Sequence, residues 1–332
     1  MPEMNRQILL ASRPEGAAST ANFRSVETPL APLEDGQVRV RNHFLSLDPY
    51  MRGRMNGTKS YTAPQPLDAV MVGGTVGVVA ESRNAAWQPG DSVLAMFGWQ
   101  EYGTSDGSGM QKVDATHIPL SAYLGAVGMP GVTAWYGLNR ICAPKHGETI
   151  AVSAASGAVG SVVGQLAKRQ SCRVVGIAGG ADKCRYVTEE LGFDACVDYK
   201  AGELSAGLEA AAPDGIDGYF DNVGGTVLDA VMLRMNAFGR IAVCGAIAGY
   251  DGKPLTMANP ALILLSRLRI EGFIVSEHRE DWPAALAELG GLVAAKQLRF
   301  RESVAQGLAS APEALLGLLQ GRNFGKQLVK LI

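Results

Sequence analysis

From about residue 149 the chain alternates short apolar runs with stretches of helical character. Thr149–Ala155 (TIAVSAA) predicts a buried strand, and Ala158–Arg169 a helix after it. Arg173–Ala178 (RVVGIA) predicts a second strand, followed by a helix over Asp182–Leu191 that Asp182 could cap. Cys196–Tyr199, Gly218–Asn222 and Arg240–Cys244 supply further strands, with helical stretches near 203–212 and 226–235 between them. Ile270–Val275 predicts a sixth strand, after the apolar segment Ala261–Leu268. Strands and helices alternating at this spacing imply right-handed crossovers and a doubly wound parallel sheet, so the fold class is α/β.

Residues before about 127 follow another rhythm. Gln37–Phe44, Met71–Glu81 and Asp91–Met96 alternate over short runs broken by Gly, Pro and Asn, which predicts a mostly antiparallel β domain. The end of the chain, Lys326–Ile332, alternates in the same way. It could pair back onto the first domain, which would make the α/β unit an insertion.

Composition narrows the functional classes. The 332 residues suit two domains better than one. With 30 basic and 32 acidic residues, the net charge of −2 offers no global field for nucleic acid or anionic lipid. The 41 glycines exceed the usual ~7% and point to tight turns and close backbone approaches to a ligand. Five cysteines, none in a CxxC pair, and no apolar signal-peptide core at the N-terminus indicate a reducing cytoplasm. Thr149–Ala167 is uncharged over the length of a membrane span, but its glycines, serines and Gln165 make it too polar for one. No membrane partner is expected.

The sharpest motif is Ala155-Ser156-Gly157-Ala158-Val159-Gly160, where the first strand meets its helix. It fits the dinucleotide fingerprint with Ala in place of the first Gly. Gly157 would let the backbone approach a pyrophosphate, and Gly160 would let helix and sheet pack closely. A plain strand–turn–helix is the competing reading, and the series of βα units disfavours it. A hydrolase elbow lacks its GxSxG frame. NAD enzymes place a carboxylate at the end of the second strand, but here that strand ends Ala178-Gly179-Gly180. The two glycines leave room for a 2′-phosphate, and Lys183 is placed to neutralise it with a bond of roughly 1.5–3 kcal/mol. NADPH is therefore the expected cofactor; in the competing reading Lys183 is a solvated helix residue.

With these residues in view, the chain resembles the zinc-independent medium-chain dehydrogenase/reductases. The branch is that of prostaglandin/leukotriene reductases, alkenal double-bond reductases and curcumin reductase. The resemblance runs through Leu47-Asp48-Pro49-Tyr50-Met51-Arg52, Gly128–Ala134 (GMPGVTA), Ala155–Lys168, Phe220–Gly225 (FDNVGG), Cys244-Gly245-Ala246-Ile247 and Gly321–Lys326 (GRNFGK). It implies a GroES-like β-rich substrate domain (1–127 and 299–332) around an inserted Rossmann domain (128–298). It further implies that Lys183 and Tyr199 bind the adenosine phosphate side. Asn222, Phe273, Ile274, Val275 and Asn323 would line the nicotinamide, Met129 and Thr133 would lie near it, and Cys244–Ile247 would also contact the cofactor. A homodimer built through the Rossmann sheets is implied as well, and the Ala261–Leu268 segment is compatible with it.

Zinc relatives carry an early Cys where this chain has Asp48, and a GHE-like His where it has Val72–Gly77. The four histidines, His43, His117, His146 and His278, lack ligand spacing, so no metal is expected. The chemistry implied is hydride transfer to the β-carbon of an α,β-unsaturated aldehyde or ketone. Donors aimed at the nascent enolate oxygen are worth about 3 kcal/mol each in a dry site. The nicotinamide ribose hydroxyl and the phenols of Tyr50, Tyr250 and Tyr61 are the candidates; an aromatic at a domain edge is the bland alternative for each tyrosine. Arg52 either contacts substrate or cofactor, or pairs with Asp48 and braces the loop. Loops 48–66 and 249–260 would shape the pocket. The competing functions are an NADPH quinone reductase, a non-catalytic NADP-binding sensor and a zinc alcohol dehydrogenase.

Overall fold

The chain opens with an antiparallel pair, β1 (Met4–Leu10) and β2 (Phe23–Pro29), in register from Met4 opposite Pro29 to Leu10 opposite Phe23. The structure, a computed structural model, describes residues 3–58, 60–251 and 255–332. Residues 59 and 252–254, within the two loops expected to shape the pocket, lie outside the described residues. The chain divides into two units, Met1–Leu124 with Glu302–Ile332, and Gly125–Arg301.

The first unit continues with β3 (Val38–Ser46), α1 (Tyr50–Arg54), β4 (Thr75–Ser82), β5 (Ser92–Ala95), β6 (Tyr102–Ser105) and β7 (Gln111–Lys112). β3 is its organising strand. It pairs antiparallel with both β4 and β6, and its inward residues Val38, Val40 and Leu45 are fully or almost fully buried.

The second unit contains α2 (Met129–Tyr136), β8 (Thr149–Ser153), α3 (Gly160–Arg169), β9 (Arg173–Ala178), α4 (Ala181–Arg185), β10 (Ala195–Asp198) and α5 (Leu204–Ala211). It goes on through β11 (Ile216–Asp221), α6 (Gly225–Met232), β12 (Met235–Val243), α7 (Ala261–Leu265), β13 (Arg269–Gly272) and α8 (Trp282–Ala294). Among the described residues these strands form one sheet in the order β10-β9-β8-β11-β12-β13, with every pairing parallel. The order reverses between β8 and β11, and in such sheets ligands bind outside the carboxyl ends at the reversal. Ala151, Val175, Ile177, Ile216, Tyr219 and Ile241 are buried along the strands and pack with Leu208 and Val231 from the covering helices.

The chain then returns to the first unit as β14 (Glu302–Gln306), α9 (Ala311–Leu319) and β15 (Lys326–Lys330). β15 lies parallel to β14 and antiparallel to β3, with Leu328 opposite Ser46. Leu308, Leu315, Val329 and Leu331 join Leu45, Leu47, Met51, Met71 and Trp99 in one apolar cluster, so the first unit's core needs both ends of the chain. The second unit is an insertion. The units divide after Leu124 and after Arg301. Leu124 packs with Val76 and Leu328, which keeps it in the first unit. The Gln165 side chain bonds both the N–H and the carbonyl of Arg299, which keeps that residue in the second.

Three expectations about elements need correction. The strand at 270 stops at Gly272 rather than Val275, because the Phe273 ring turns inward onto Phe220 and Tyr136, at centroid distances of 6.2 and 5.3 Å. The helix expected over Asp182–Leu191 is α4 followed by a wider π-type turn over Tyr186–Glu190. Asp182 does not cap it. The capping position is Gly180, at φ +105°, where side-chain-bearing residues are strained, and the Asp182 carboxylate binds Arg185 instead. The uncharged stretch 149–167 is split between β8, a turn and α3, and among the described residues no helix is long and apolar enough to cross a membrane.

Candidate functional site

The six described strands of the second unit all end at one edge of its sheet, and each hands the chain to a segment carrying candidate residues. β8 ends because Ala154 adopts a left-handed φ of +49°, after which Ala155–Val159 turn into α3. The helix begins at Gly160, two residues later than the apolar pattern suggested, and no side chain caps it. Its N-terminal N–H groups are the kind that receive phosphate. A Cβ on Gly160 would stand 2.5 Å from the Ala154 carbonyl oxygen and 3.0 Å from the Ala155 Cα. Gly157 is less confined, since a Cβ there would meet only the Ala154 oxygen, at 3.1 Å. Ser156 is buried and Ala158 and Val159 half-buried beside them. The turn is a close-packed cradle of backbone.

The next loops form a second corner. β9 runs into Gly179 and Gly180, and the Gly180 N–H donates to Asp198 Oδ1 at 2.8 Å, which ties this loop to the end of β10. A Cβ on Gly179 would lie 2.7 Å from the Tyr199 hydroxyl, so glycine is what lets that half-exposed ring lie flat across the loop. Lys200 reaches over the same ring at 5.9 Å. Burial, and then the charge of Lys200, hold the Lys183 ammonium below the usual lysine range. Lys183, Lys200 and Arg185 outnumber the carboxylates of Asp182 and Asp198 here, which suits the corner to an anion. The cradle and this corner fit a dinucleotide carrying a 2′-phosphate.

A third group surrounds the end of β11. Asp221 is fully buried, and its Oδ1 accepts from the Tyr219 hydroxyl (2.8 Å), the Ser153 hydroxyl (3.2 Å) and the N–H groups of Val223 and Gly224 (2.9 Å each). The Asn222 N–H donates to the Ser153 hydroxyl and its side-chain amide to the Ser153 carbonyl, at 2.9 and 2.8 Å. Cys244 and Gly245 donate their N–H groups to the Asp221 carbonyl, and a Gly245 Cβ would meet the Asn222 carbonyl at 3.1 Å. Asn222, Cys244, Gly245 and Ala246 are thus brought together, with Ile247 opening a short 3-10 turn that ends at the half-buried Tyr250. Ser153 and Asp221 escaped the sequence reading. Their signal was present, as a carboxylate closing the otherwise apolar strand GYFD.

Other candidates are placed differently. Phe273 and Val275 are buried by their side chains, and the Val275 carbonyl accepts from the Trp282 indole at 3.0 Å, so neither presents an open side chain. Ile274, between them, is half-buried. The Thr133 hydroxyl donates to the Met129 carbonyl one helical turn back, at 2.7 Å. Tyr50, Tyr61, Arg52 and Asn323 belong to the first unit. Asn323 spends its side-chain amide on the Gly325 carbonyl at 2.7 Å. Arg52 does not pair with Asp48. Its guanidinium is sealed at 1% exposure, donating to Asn56 Oδ1 at 2.7 Å and to the Gly16 carbonyl, so it braces the chain after α1 and is closed to substrate. Asp48 is taken by Lys326, whose ammonium lies 3.0 Å away, and by the Ser46 hydroxyl. Burial, and then the Asp48 charge, push the Tyr50 phenol above the usual tyrosine range, whereas Tyr61 is 59% exposed. Among the described residues no three His, Cys, Asp or Glu side chains converge as a metal site.

Residues 6–113 match the family described as the N-terminal domain of oxidoreductase, and 158–290 match that described as zinc-binding dehydrogenase. The chain is 45% identical to the NADPH-dependent curcumin reductase of Escherichia coli (strain K12), over 99% of its length and 97% of that protein's. The chain belongs to the medium-chain dehydrogenase/reductases, in the branch of prostaglandin, alkenal and curcumin reductases. Another member of this family, the NADP(+)-dependent 2-alkenal reductase of Nicotiana tabacum, is 42% identical over 98% of the chain and 97% of the relative. The crystal structure of CurA from Vibrio vulnificus in complex with NADPH superposes with a TM-score of 0.93 at 44% identity, covering 98% of this chain and 99% of that one.

Proposed function

We propose that this family member is an NADPH-dependent reductase of the carbon–carbon double bond of α,β-unsaturated aldehydes and ketones. The observation that carries the cofactor half is that β9 ends in Gly179-Gly180, where an NAD enzyme carries a carboxylate, with the Lys183 and Lys200 charges close enough to act on each other beside it. The substrate half rests on full-length relatives named for reducing curcumin and 2-alkenals.

The fingerprint turn would hold the pyrophosphate, Lys183 and Tyr199 the adenosine phosphate, and Asn222 with Cys244–Ala246 the nicotinamide end. When bound, the reduced nicotinamide supplies hydride to the β-carbon of the alkene. The chain's own task is then the charge that gathers on the substrate oxygen as an enolate. Tyr50 suits that task, since burial keeps its phenol protonated and able to donate, and Tyr250 is the second donor. Asp48 stands where zinc relatives carry a cysteine ligand, but its carboxylate is committed to Lys326 and Ser46. The reading is therefore one of hydrogen-bond donors in place of a Lewis acid.

Two coarser features complete it. Five unpaired cysteines suit a cytoplasmic protein. The second unit's sheet ends at β13, and near it in sequence Leu264 and Leu265 on α7 are 78% and 64% exposed, which suits a homodimer formed through this unit. Light scattering should give a dimer mass, and Leu264→Glu should lower it.

NADPH oxidation with a panel of 2-alkenals, enones, quinones and saturated ketones tests the reaction. Turnover of enals and enones, with the carbonyl intact in a product heavier by two hydrogens, is the expected result. Saturated-ketone turnover without enone turnover overturns it, and quinone turnover alone turns the assignment to a quinone reductase.

A further inference from the structure

Two sulfur atoms that the proposed reaction does not use lie beneath the corner assigned to the 2′-phosphate. Cys184 follows Lys183 in α4, and Cys196 lies in β10 just before Asp198 and Tyr199. Their Sγ atoms are 3.2 Å apart, closer than ordinary non-bonded contact between sulfurs. A disulfide requires about 2.05 Å, so an approach of roughly 1 Å would join them. Neither sulfur belongs to a fully buried residue, and Cys196 also lines an open hollow of about 490 Å³ with Asp198, Ala201, Glu203 and Gly207. Cys184 is the less buried of the two and is the sulfur an oxidant meets first.

We propose that Cys184 and Cys196 are a modification site, cross-linked by a hydroperoxide, and that the cross-link weakens the 2′-phosphate corner. The inference rests on the reading of that corner given above. The Cys184 thiolate attacks the terminal peroxide oxygen and the O–O bond breaks. The departing alkoxide takes up a proton as the alcohol, leaving a sulfenic acid. Cys196 sulfur then attacks Cys184 sulfur, the S–O bond breaks, and the hydroxide leaves as water with the Cys196 proton. Two thiols lose two electrons to one hydroperoxide, and a dithiol reductant reverses the change.

The consequence follows from connectivity. Asp198 already holds the Gly180 N–H, so α4 and the end of β10 form one corner rather than two free loops. Drawing Cys184 toward the strand carries its neighbour Lys183 with it. Displacing a charged donor by about 1 Å degrades a charge-assisted hydrogen bond. Burial pushes both thiols above the usual cysteine range, so the reaction is slow at neutral pH and quickens as pH rises. Such behaviour suits a response to sustained peroxide rather than a rapid sensor.

The test treats the full chain with tert-butyl hydroperoxide, traps remaining thiols, and reads intact mass and non-reduced peptide maps. Calorimetry then measures binding of 2′,5′-ADP and of 5′-AMP to the reduced, oxidised and re-reduced protein. The expected result is an intramolecular 184–196 link with loss of two hydrogens and about tenfold weaker 2′,5′-ADP binding. Binding of 5′-AMP should change far less, and dithiothreitol should restore the original affinity. Cys184→Ser should abolish both link and loss, and Cys196→Ala gives the same answer should the first variant fold poorly. Sulfinic acid at Cys184, a link between two chains, or a 184–196 link that leaves 2′,5′-ADP binding unchanged overturns the proposal. If 2′,5′-ADP binds the reduced protein no better than 5′-AMP, the phosphate reading itself fails, independently of whether the link forms.

Discussion

The Lys326 ammonium stands 3.0 Å from the Asp48 carboxylate, with the two side chains only 4% and 9% exposed. It also donates to the carbonyls of Leu47 and Gln327, at 2.6 and 3.2 Å. The pair fastens the last strand of the chain to the segment entering α1, where Tyr50 sits. Removing one partner of a buried pair leaves the other charge uncompensated, at a cost of about 3–5 kcal/mol. Lys326→Met should therefore lower the unfolding midpoint sharply in a denaturant titration. Asp48→Leu combined with Lys326→Met should recover most of the loss, because a well-packed apolar pair carries no desolvation penalty. Equal damage in the single and double variants would show that the charge pairing is not what matters there.

The fingerprint turn discriminates between its two glycines. A methyl group on Gly160 must displace backbone of Ala154 and Ala155, whereas one on Gly157 meets a single oxygen at 3.1 Å. Overpacking of this kind costs about 1–3 kcal/mol and distorts the turn that would face the pyrophosphate. Gly160→Ala should weaken NADPH binding, followed by nucleotide fluorescence, at least about tenfold. Gly157→Ala should weaken it less. The reverse order would mean that close approach of ligand, not helix packing, is the tighter constraint.

Lys183 makes the nucleotide preference depend on pH. Burial and Lys200 hold its ammonium below the usual lysine range in the free protein, and a bound 2′-phosphate would raise it again. The resulting gain in NADPH binding is complete below the free-state pKa and is lost as pH climbs through the bound-state one. The ratio of KM for NADPH to KM for NADH should thus rise across the alkaline range. Lys183→Ala should raise the NADPH KM about tenfold at neutral pH, leave NADH nearly unchanged and flatten the pH dependence. Equal losses with both nucleotides would reject the phosphate role.

Much of this was legible in the chain because the governing signals are local. Arg173–Ala178 emerges as the strand that its apolar run predicts, since Gly179 and Gly180 punctuate it. What escaped was tertiary. Phe273 reads as a strand residue, but Gly137 makes a niche where a Cβ would stand 2.8 Å from its ring, and the ring fills it. Arg52 beside Asp48 suggested the nearest opposite charge, yet the true partner lies 278 residues along the chain. The Ser153–Asp221–Asn222 network joins the ends of two strands that are neighbours only once the sheet has formed.

The tyrosines separate by environment. Tyr50 is held above the usual tyrosine range by burial first and the Asp48 charge second, so its phenol keeps its proton where an exposed tyrosine would begin to lose it. A donor to a developing enolate acts only in its protonated form, and a raised pKa extends that form to higher pH. Any alkaline fall in wild-type kcat with an enone that comes from loss of the Tyr50 proton should accordingly lie above the usual tyrosine range. Tyr50→Phe removes the hydroxyl while keeping the ring, and should reduce kcat by about 10²-fold or more with little change in KM, as loss of a preorganised oxyanion donor does. Tyr61, 59% exposed, has no comparable shield from water, and Tyr61→Phe should change kcat less than about threefold. A rise in KM with kcat intact in Tyr50→Phe would assign this phenol to binding rather than to the enolate, and would leave Tyr250 as the donor to be tested.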